Sequence, residues 1–560
     1  ARGTISSSSA CGLVRTQFLH RQYGDAIQMF REIKDAFDPW NILNPGKVVG
    51  GDSRRMTDNL VPLSAPPPEP PAELTAGASS SANLPIITGD DASSFEDSAV
   101  RGPSGFDIPA IGASSFLLPV LRWPERGMEE QASACNGCGA CRTQEPSTRM
   151  CPTFRALREE AASPRSQANL IRQIATGEID PKLWGSEEFK AHSDLCFHCK
   201  MCQSECPSGI DVSSLMMEAK AAYVEHHGLA PGDWIFSRIE LWARLASRLP
   251  IVTNFLLGRK LSRLFLERTL GLSRHRVLPN VRRTPFTRRA AKLGLHRPRP
   301  QLPGPRVVYF VDVYANYYDQ ELAESVVEVL QRAGVNVYVP IRQRSSGMAS
   351  LIVGDIDHAR TLALHNLRIL GNAVRDGYTV VCSEPTAALM IQQEYIKLTD
   401  DLDAALVARN TMEVGQYLAG LDARGLLPAP TEPLGIRVGY HQPCHLRALN
   451  VGTPGLDLLR KIPEIRVEFI DRGCSGMGGT YGLARNRFRT SIRAGRGLLK
   501  RLRAPDLEIG ATECGACRIQ MEQGITKNTL HPIKLLSLGY GLNPTIRRSL
   551  KEPKPRNLMS

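Results

Sequence analysis

Apolar positions follow different rhythms along this chain. Beyond residue 305, short apolar runs alternate with a helix-length stretch: Val307–Val311, then Asp319 to Gly334, then Val335–Val339, and a further run at Ile436–Tyr440. The short runs predict strands. The stretch between them, with Asp319 as a cap and Gly334 as a stop, predicts a helix. Strand–helix–strand alternation predicts small α/β layers with parallel strands. Earlier in the chain, Ser163-Pro164 reads as the cap and first turn of a helix that ends near Gly177, and Asp211 caps another that ends near Gly228. The stretch Trp234–Leu270 mixes Trp, Phe, Leu and Ile with Arg at helix-like intervals. It can lie on an anionic membrane surface or pack its apolar face on the protein. From Arg274 to Arg306, proline and arginine recur without a period, as in an exposed connection. Residues 52–110 are rich in Pro, Ser and Ala, and order is expected to resume near Leu117. Such a composition buries little surface and predicts an extended or disordered tether. The longest apolar run, Leu249–Gly258, is shorter than the ~18 residues that span a bilayer.

The chain from about 305 to 545 also repeats itself. Arg306-Val-Val-Tyr309 resembles Arg437-Val-Gly-Tyr440, Ser346-Gly-Met348 matches Ser475-Gly-Met477, and Glu384 matches Glu513, at offsets of 131, 129 and 129 residues. Two homologous halves are expected.

Twelve of the 14 cysteines fall in three groups. Cys135, Cys138 and Cys141 form a C-x-x-C-x-x-C triplet followed by Cys151-Pro152, and Cys196, Cys199 and Cys202 form a second followed by Cys206-Pro207. This is the spacing of two-cluster ferredoxins, with the first tail lengthened. Ligands at every third position wrap three thiolates around one cubane, and the distal Cys serves the other cluster. The expected sets are therefore Cys135, Cys138, Cys141 and Cys206 for one [4Fe–4S] cluster, and Cys196, Cys199, Cys202 and Cys151 for the other. Zinc also accepts four thiolates, but its motifs pair C-x-x-C units rather than triplets. The third group, Cys444, Cys474, Cys514 and Cys517, lies in the second half of the repeat; the first half has Val313, Ser345, Pro385 and Ala388 at the matching places. One half keeps four thiols and its twin none. A third iron–sulfur cluster in the second half, with the first half as a structural partner, is one reading; buried thiols or a zinc site are the others.

Charge refines the map. The net charge of +13 lies in one segment: Phe236–Arg306 holds 17 Lys and Arg against 2 Asp and Glu, and the rest carries 52 against 54. A nucleic-acid reader would spread basic residues over a folded surface, so nucleic acid is not expected as a partner. Ala1–Ala10 shows no signal-peptide core, and the chain starts at Ala, which suggests a processed protein or the downstream part of a longer one.

The set Cys444-His445, Cys474-Ser-Gly-Met477 and Cys514-x-x-Cys517 resembles the cysteine-rich CCG domain of heterodisulfide reductase subunits, glycolate oxidase iron–sulfur subunits and anaerobic glycerol-3-phosphate dehydrogenase. The two triplets resemble the ferredoxin domain that precedes it there. Gly12-Leu-Val-Arg15, Phe30 to Pro39 and Leu43-Asn-Pro-Gly-Lys47 look like the end of an FAD-linked oxidase C-terminal domain. The whole is similar to the downstream half of an FAD-linked oxidase fused to an iron–sulfur protein, the family of D-lactate, glycolate and large D-2-hydroxyglutarate dehydrogenases. The resemblance implies a multidomain chain: the end of an α+β FAD-linked oxidase C-terminal domain over 1–50, a linker over 51–116, an α-helical two-cluster ferredoxin-like domain over 117–230, a basic connector over 231–304, a degenerate α/β CCG-type repeat over 305–430, an intact one over 431–545, and a tail over 546–560. It departs from that family at three points, one of them Ser345-Ser346, which stands where the first repeat would carry a double Cys. Ser475 stands where a double Cys would, which favours a four-thiolate cluster. Ser7-Ser8-Ser9-Ala10 replaces a Gly-Glu-His-Gly stretch that helps bind substrate and metal. Serine does not substitute for imidazole as base or ligand, so the chain alone is not expected to oxidise a 2-hydroxy acid; Arg15 could still face a substrate carboxylate.

The function implied is electron transfer. A flavin donor in an upstream FAD domain would pass electrons through two [4Fe–4S] clusters, and a third where present, to an acceptor such as a quinone or electron carrier. Catalytic residues in this chain stay unassigned, and a cytoplasmic location, with peripheral contact at the inner membrane face, is expected. The alternative is a heterodisulfide- or quinone-reductase-like module acting at the third cysteine group. A zinc-dependent nucleic-acid binder is a weaker third.

Overall fold

The computed structural model describes residues 12–49, 119–124, 126–145 and 148–551. The tether, the serine stretch before Cys11 and the last nine residues lie outside them.

The chain divides into two compact units, Ala1–Ile108 and Pro109–Ser560. In the first, helices span Gly12–Thr16, Leu19–Tyr23 and Ala26–Phe37. Asp38 closes the last of these: its carboxylate accepts from the Ile42 and Leu43 amides at 2.9 and 2.8 Å and pairs with Lys34. Phe37 and Trp40 are more than four-fifths exposed, so this segment carries an apolar face that it does not itself cover.

In the second unit the predicted helices form as expected. Ser163 caps Pro164–Ala175 by accepting from the Ser166 amide, and Asp211 caps Val212–His227 through Ser214. Two four-stranded parallel sheets follow. The first contains β1 (Arg306–Phe310), β2 (Asn336–Tyr338), β3 (Thr379–Cys382) and β4 (Thr411–Glu413) in the order β2-β1-β3-β4. The second contains β5 (Arg437–Tyr440), β6 (Arg466–Phe469), β7 (Ile509–Ala511) and β8 (Thr529–Leu530) in the order β6-β5-β7-β8. The two sheets share strand order and direction. A matched detail is the glycine before each methionine: Gly347 and Gly476 have φ of 91° and 90°, a left-handed turn that a side chain would strain.

The halves share one core, with Val307 and Tyr309 packed in the same cluster as Val438 and Ile509. Polar ties cross the same boundary. The buried Glu384 accepts from the Gly515 amide at 3.1 Å, His531 donates to the Ser383 carbonyl at 3.0 Å, and the buried Lys534 reaches Asp319 at 3.0 Å. All these residues lie beyond the carboxyl ends of strands or next to them. The C-terminal edges of the two sheets therefore face one another.

The connector differs from the sequence expectation. Residues 274–306 are not an exposed link throughout. Arg276 is fully buried, donating to the Gly482 carbonyl at 2.9 Å and to Ser491 at 3.0 Å, and Phe286 and Ala290 of the helix Phe286–Lys292 enter the core. A long arginine reaching a fixed carbonyl leaves no period in the sequence. The first part, 231–270, folds into four short helices, Pro231–Ser237, Ile239–Ala246, Pro250–Gly258 and Lys260–Leu270.

Candidate metal centres

The two cysteine triplets adopt the same loop. In the first, Gly137 and Gly139 flank Cys138 with φ of 70° and 75°; in the second, His198 and Lys200 flank Cys199 with φ of 54° and 60°. Alternating left-handed residues curl the chain so that its thiols turn inward. The His198 amide donates to the Cys196 sulfur at 3.4 Å, and the Gly137 amide donates to Cys135 in the same way. Left-handed backbone at non-glycine residues costs about 1–3 kcal/mol each, and here the surroundings hold it. Lys200 is buried in ion pairs with Asp211 at 3.0 Å and Glu394 at 2.8 Å, and His198 Nε2 lies 3.0 Å from the buried Lys220 amine.

Cys135, Cys138, Cys141 and Cys206 line one small cavity together with Cys202 of the second triplet and with Met150, Ile210 and Val212. Cys138 is exposed and Cys141 buried. Cys151, half-buried at the start of the helix Pro152–Leu157, lies within electrostatic reach of Cys196, Cys199 and Cys202 and of Cys141 in the first triplet. Burial pushes the Cys196 thiol up to about 11. Isolated thiols at such sites stay protonated until a metal takes the proton's place.

The third group gathers at the carboxyl edge of the second sheet, beyond β5 and β7. That is where the strand order reverses, and open α/β sheets bind ligands at such a point. Cys444 and Cys474 have their sulfurs 3.7 Å apart, Gly476 donates its amide to Cys474 at 3.2 Å, and Ser475 donates to Cys517 at 3.1 Å. Cys514 and Cys517, one turn apart on the helix Gly515–Gly524 and its cap, share a hydrogen bond. All four are buried. Among the described residues, no three His, Cys, Asp or Glu side chains converge closely enough for a single ion.

Three segments of the chain match known domain families: residues 131–210 a 4Fe-4S dicluster domain, 438–522 a cysteine-rich domain, and 1–48 the C-terminal domain of FAD-linked oxidases. Among curated proteins it is similar to one of the subunits of the anaerobic glycerol-3-phosphate dehydrogenase of Escherichia coli (24% identity, 59% of this chain, 82% of that one) and to a probable glycolate oxidase iron–sulfur subunit of Bacillus subtilis (24%, 72% and 92%). These two relatives are subunits of oxidoreductases, one of them an iron–sulfur subunit. It is also similar to the D-2-hydroxyglutarate dehydrogenases of Escherichia coli and Pseudomonas putida (24% and 20% identity), of whose lengths it spans 43% and 50%. These relatives are oxidoreductases, and they support an electron-transfer role.

Several residues at the heart of the iron–sulfur chain leave little sequence signal. Arg149, fully buried, donates to the Gln442 carbonyl, pairs with Asp471 at 3.4 Å and bonds the Cys444 sulfur. The hydrogen bond shared with Cys474 and this guanidinium bring the Cys444 thiol down to about 7. His445 donates to the His198 carbonyl at 2.8 Å while Thr386 donates to its other nitrogen at 2.8 Å, so it ties the second triplet loop to both α/β halves. Spacing marks neither role, although Cys444-His445 stands out as a pair. Arg15, on the helix Gly12–Thr16, is partly exposed.

Proposed function

We propose that this chain carries electrons from a flavin, bound in an FAD domain outside this sequence, to an acceptor at its cysteine-rich second half. When bound, [4Fe–4S] clusters supply centres that take up and release single electrons. Cys135, Cys138, Cys141 and Cys206 would hold one, Cys151, Cys196, Cys199 and Cys202 a second, and Cys444, Cys474, Cys514 and Cys517 a third. The observation that carries this reading is the succession of sites: a first triplet with Cys138 exposed, a second with Cys199 half-buried, then Cys444 and Cys474, which line one cavity with Cys199. The chain's own work is to exclude water, to aim amides at sulfur, and to set distances. On its own it is not expected to oxidise a 2-hydroxy acid, because the carbon chemistry belongs to the flavin. Anaerobically reconstituted full chain is expected to be brown and, after dithionite reduction, to give the resonances of reduced [4Fe–4S] centres; a colourless reconstituted protein overturns the reading.

The connector is proposed to rest on an anionic membrane at its cytoplasmic face, where thiols stay reduced. Among the described residues no helix is long and apolar enough to cross a membrane, but helix Pro250–Gly258 is apolar apart from Thr253 and Asn254. Ile251 and Leu261 are 85% and 82% exposed, beside Arg248, Arg259, Lys260 and Arg268, which make no ion pair among the described residues. Basic residues at a lipid surface contribute about 1 kcal/mol each. Changing those four to Gln should therefore weaken binding to phosphatidylglycerol-containing vesicles by on the order of a hundredfold or more, with iron content unchanged. Equal sedimentation of both proteins with these vesicles would leave the connector without this role.

A further inference from the structure

The residue after Cys444 bridges two regions that electron transfer has to connect. His445 follows Cys444 on the helix Cys444–Ala448, and its Nε2 donates to the His198 carbonyl at 2.8 Å. That carbonyl belongs to the peptide bond that leads into Cys199, the middle ligand of the second triplet. One path therefore runs from Cys199 through this peptide, across a single hydrogen bond, through the imidazole and along the backbone to Cys444. All of it except that hydrogen bond is covalent. The far end of the bridge is fixed as well: the His198 ring is buried, with Nε2 3.0 Å from the buried Lys220 amine.

The ring is steered from the thiol-free half of the repeat. Thr386 donates its hydroxyl to Nδ1 at 2.8 Å. A neutral imidazole is a donor at one nitrogen and an acceptor at the other, and the bond made at one decides where the proton sits. Thr386 therefore keeps the N–H at Nε2, facing His198. The matched motifs show how particular this contact is. Val313 and Pro385 stand at the places of Cys444 and Cys514, so Tyr314 corresponds to His445 and Thr386 to Gly515. The reciprocal pair also meets, since a Cβ on Gly515 would lie 2.5 Å from the Tyr314 ring. Each half thus rests the residue after its first thiol position on the start of a helix in the other half. Among the described residues only one of these two contacts is a hydrogen bond, and it is the one that reaches a cysteine triplet. Tyr314 against Gly515 packs by shape alone. Packing would be served equally well by such a pair at both places.

We propose that His445 is a positioning residue for electron transfer between the second triplet and the cysteine-rich site, held in that role by Thr386 of the thiol-free half. One electron passes at a time; no bond breaks, and the ring keeps its proton. The imidazole fixes how the two sites are set against each other and joins them by bonded atoms, along which an electron tunnels more readily than across a gap. The inference rests on the electron-transfer reading, in which both sets of thiols hold redox centres. It gives the thiol-free half a task beyond support.

The test uses the full chain, anaerobically reconstituted, mixed rapidly with less than one equivalent of dithionite and frozen at intervals. Electron paramagnetic resonance then reads the rate at which the electron reaches the cysteine-rich site. His445→Phe keeps an aromatic ring and loses both hydrogen bonds. It should slow this transfer by roughly tenfold or more, as for other residues that orient a metal ligand from behind, with iron content and midpoint potentials unchanged. His445→Gln, whose amide still donates to the His198 carbonyl, should recover most of the rate. Thr386→Val should fall between the parent and His445→Phe, and it carries the comparison should His445→Phe not fold. In the metal-free chain, hydrogen exchange over 196–202 should rise in His445→Phe and not in His445→Gln, which reads the grip on the loop without any cluster. A parent-like rate in both His445→Phe and Thr386→Val, unchanged exchange over 196–202, or a slower rate that tracks lost iron or a shifted potential would each overturn the proposal and leave electron transfer standing. A parent chain in which no electron reaches the cysteine-rich site would instead overturn the electron-transfer reading, and the proposal with it.

Discussion

Cys206→Ala should abolish the cluster at Cys135, Cys138 and Cys141 and leave the one at Cys196, Cys199 and Cys202, whereas Cys151→Ala should do the reverse. A tail cysteine that served its own triplet would give the opposite pattern. The crossed assignment follows from two-cluster spacing; Cys206 lines the small cavity with the first triplet and Cys202, and Cys151 lies near Cys141 as well as near the second triplet, so the variants decide it. Each variant should lose close to four iron atoms per chain. The losses should differ in character. Cys138 is exposed while Cys199, in the same place of the second triplet, is half-buried, so air should bleach the first site faster in the parent protein, and the Cys206→Ala protein should be the more air-stable of the two. Iron analysis and electron paramagnetic resonance of the two variants, before and after timed exposure to air, read both effects. Uncrossed losses would reassign the ligands, and equal bleaching would mean that exposure at Cys138 does not govern access.

How much of this is legible in the sequence depends on whether the responsible feature has a local period. The helix at 164–175, the cap at Asp211 and three of the eight strands (Arg306–Phe310, Asn336–Tyr338 and Arg437–Tyr440) follow from capping residues and short apolar runs, and the structure places them within a residue or two. The doubled sheet is legible from three matched motifs. The first triplet loop announces its left-handed residues as Gly137 and Gly139. The second hides the same geometry behind His198 and Lys200, because buried partners, not glycine, hold that backbone. Arg276 and the core helix at 286–292 escape a sequence reading for a related reason. A proline- and arginine-rich stretch resembles solvent-exposed chain unless the carbonyl that receives the guanidinium is known, and Gly482 lies more than two hundred residues away. The cavity that Cys199 shares with Cys444 and Cys474 is out of reach altogether, since its walls come from the connector and from both halves of the repeat.

Arg149→Met should destabilise the second unit by about 2–4 kcal/mol and lower the reduction potential at the cysteine-rich site. Arg149 is one member of a network that crosses from the ferredoxin-type region to the second α/β half. Glu205 accepts from the Arg149 and Met150 amides at 2.9 and 2.8 Å, Arg447 reaches Glu205 at 3.3 Å and Asp471 at 3.7 Å, and the Arg149 guanidinium adds Asp471, the Gln442 carbonyl and the Cys444 sulfur. The two ends of this network carry unequal weight. Asp471 is 30% exposed and keeps Arg447, so the loss of Arg149 costs it little. The Gln442 carbonyl and the Cys444 sulfur are buried, and no other cation is paired with them among the described residues. Most of the destabilisation therefore falls on that side, next to the thiols, where a missing positive charge also makes an added electron less welcome. Arg149→Lys should recover less than half of the stability, because a single ammonium cannot span the carbonyl, the carboxylate and the sulfur that the planar fork reaches together. It should recover more of the potential, which depends on charge rather than on the fork. Thermal unfolding and a redox titration of the three proteins separate these contributions. A Met variant with unchanged potential would mean that the guanidinium serves packing alone.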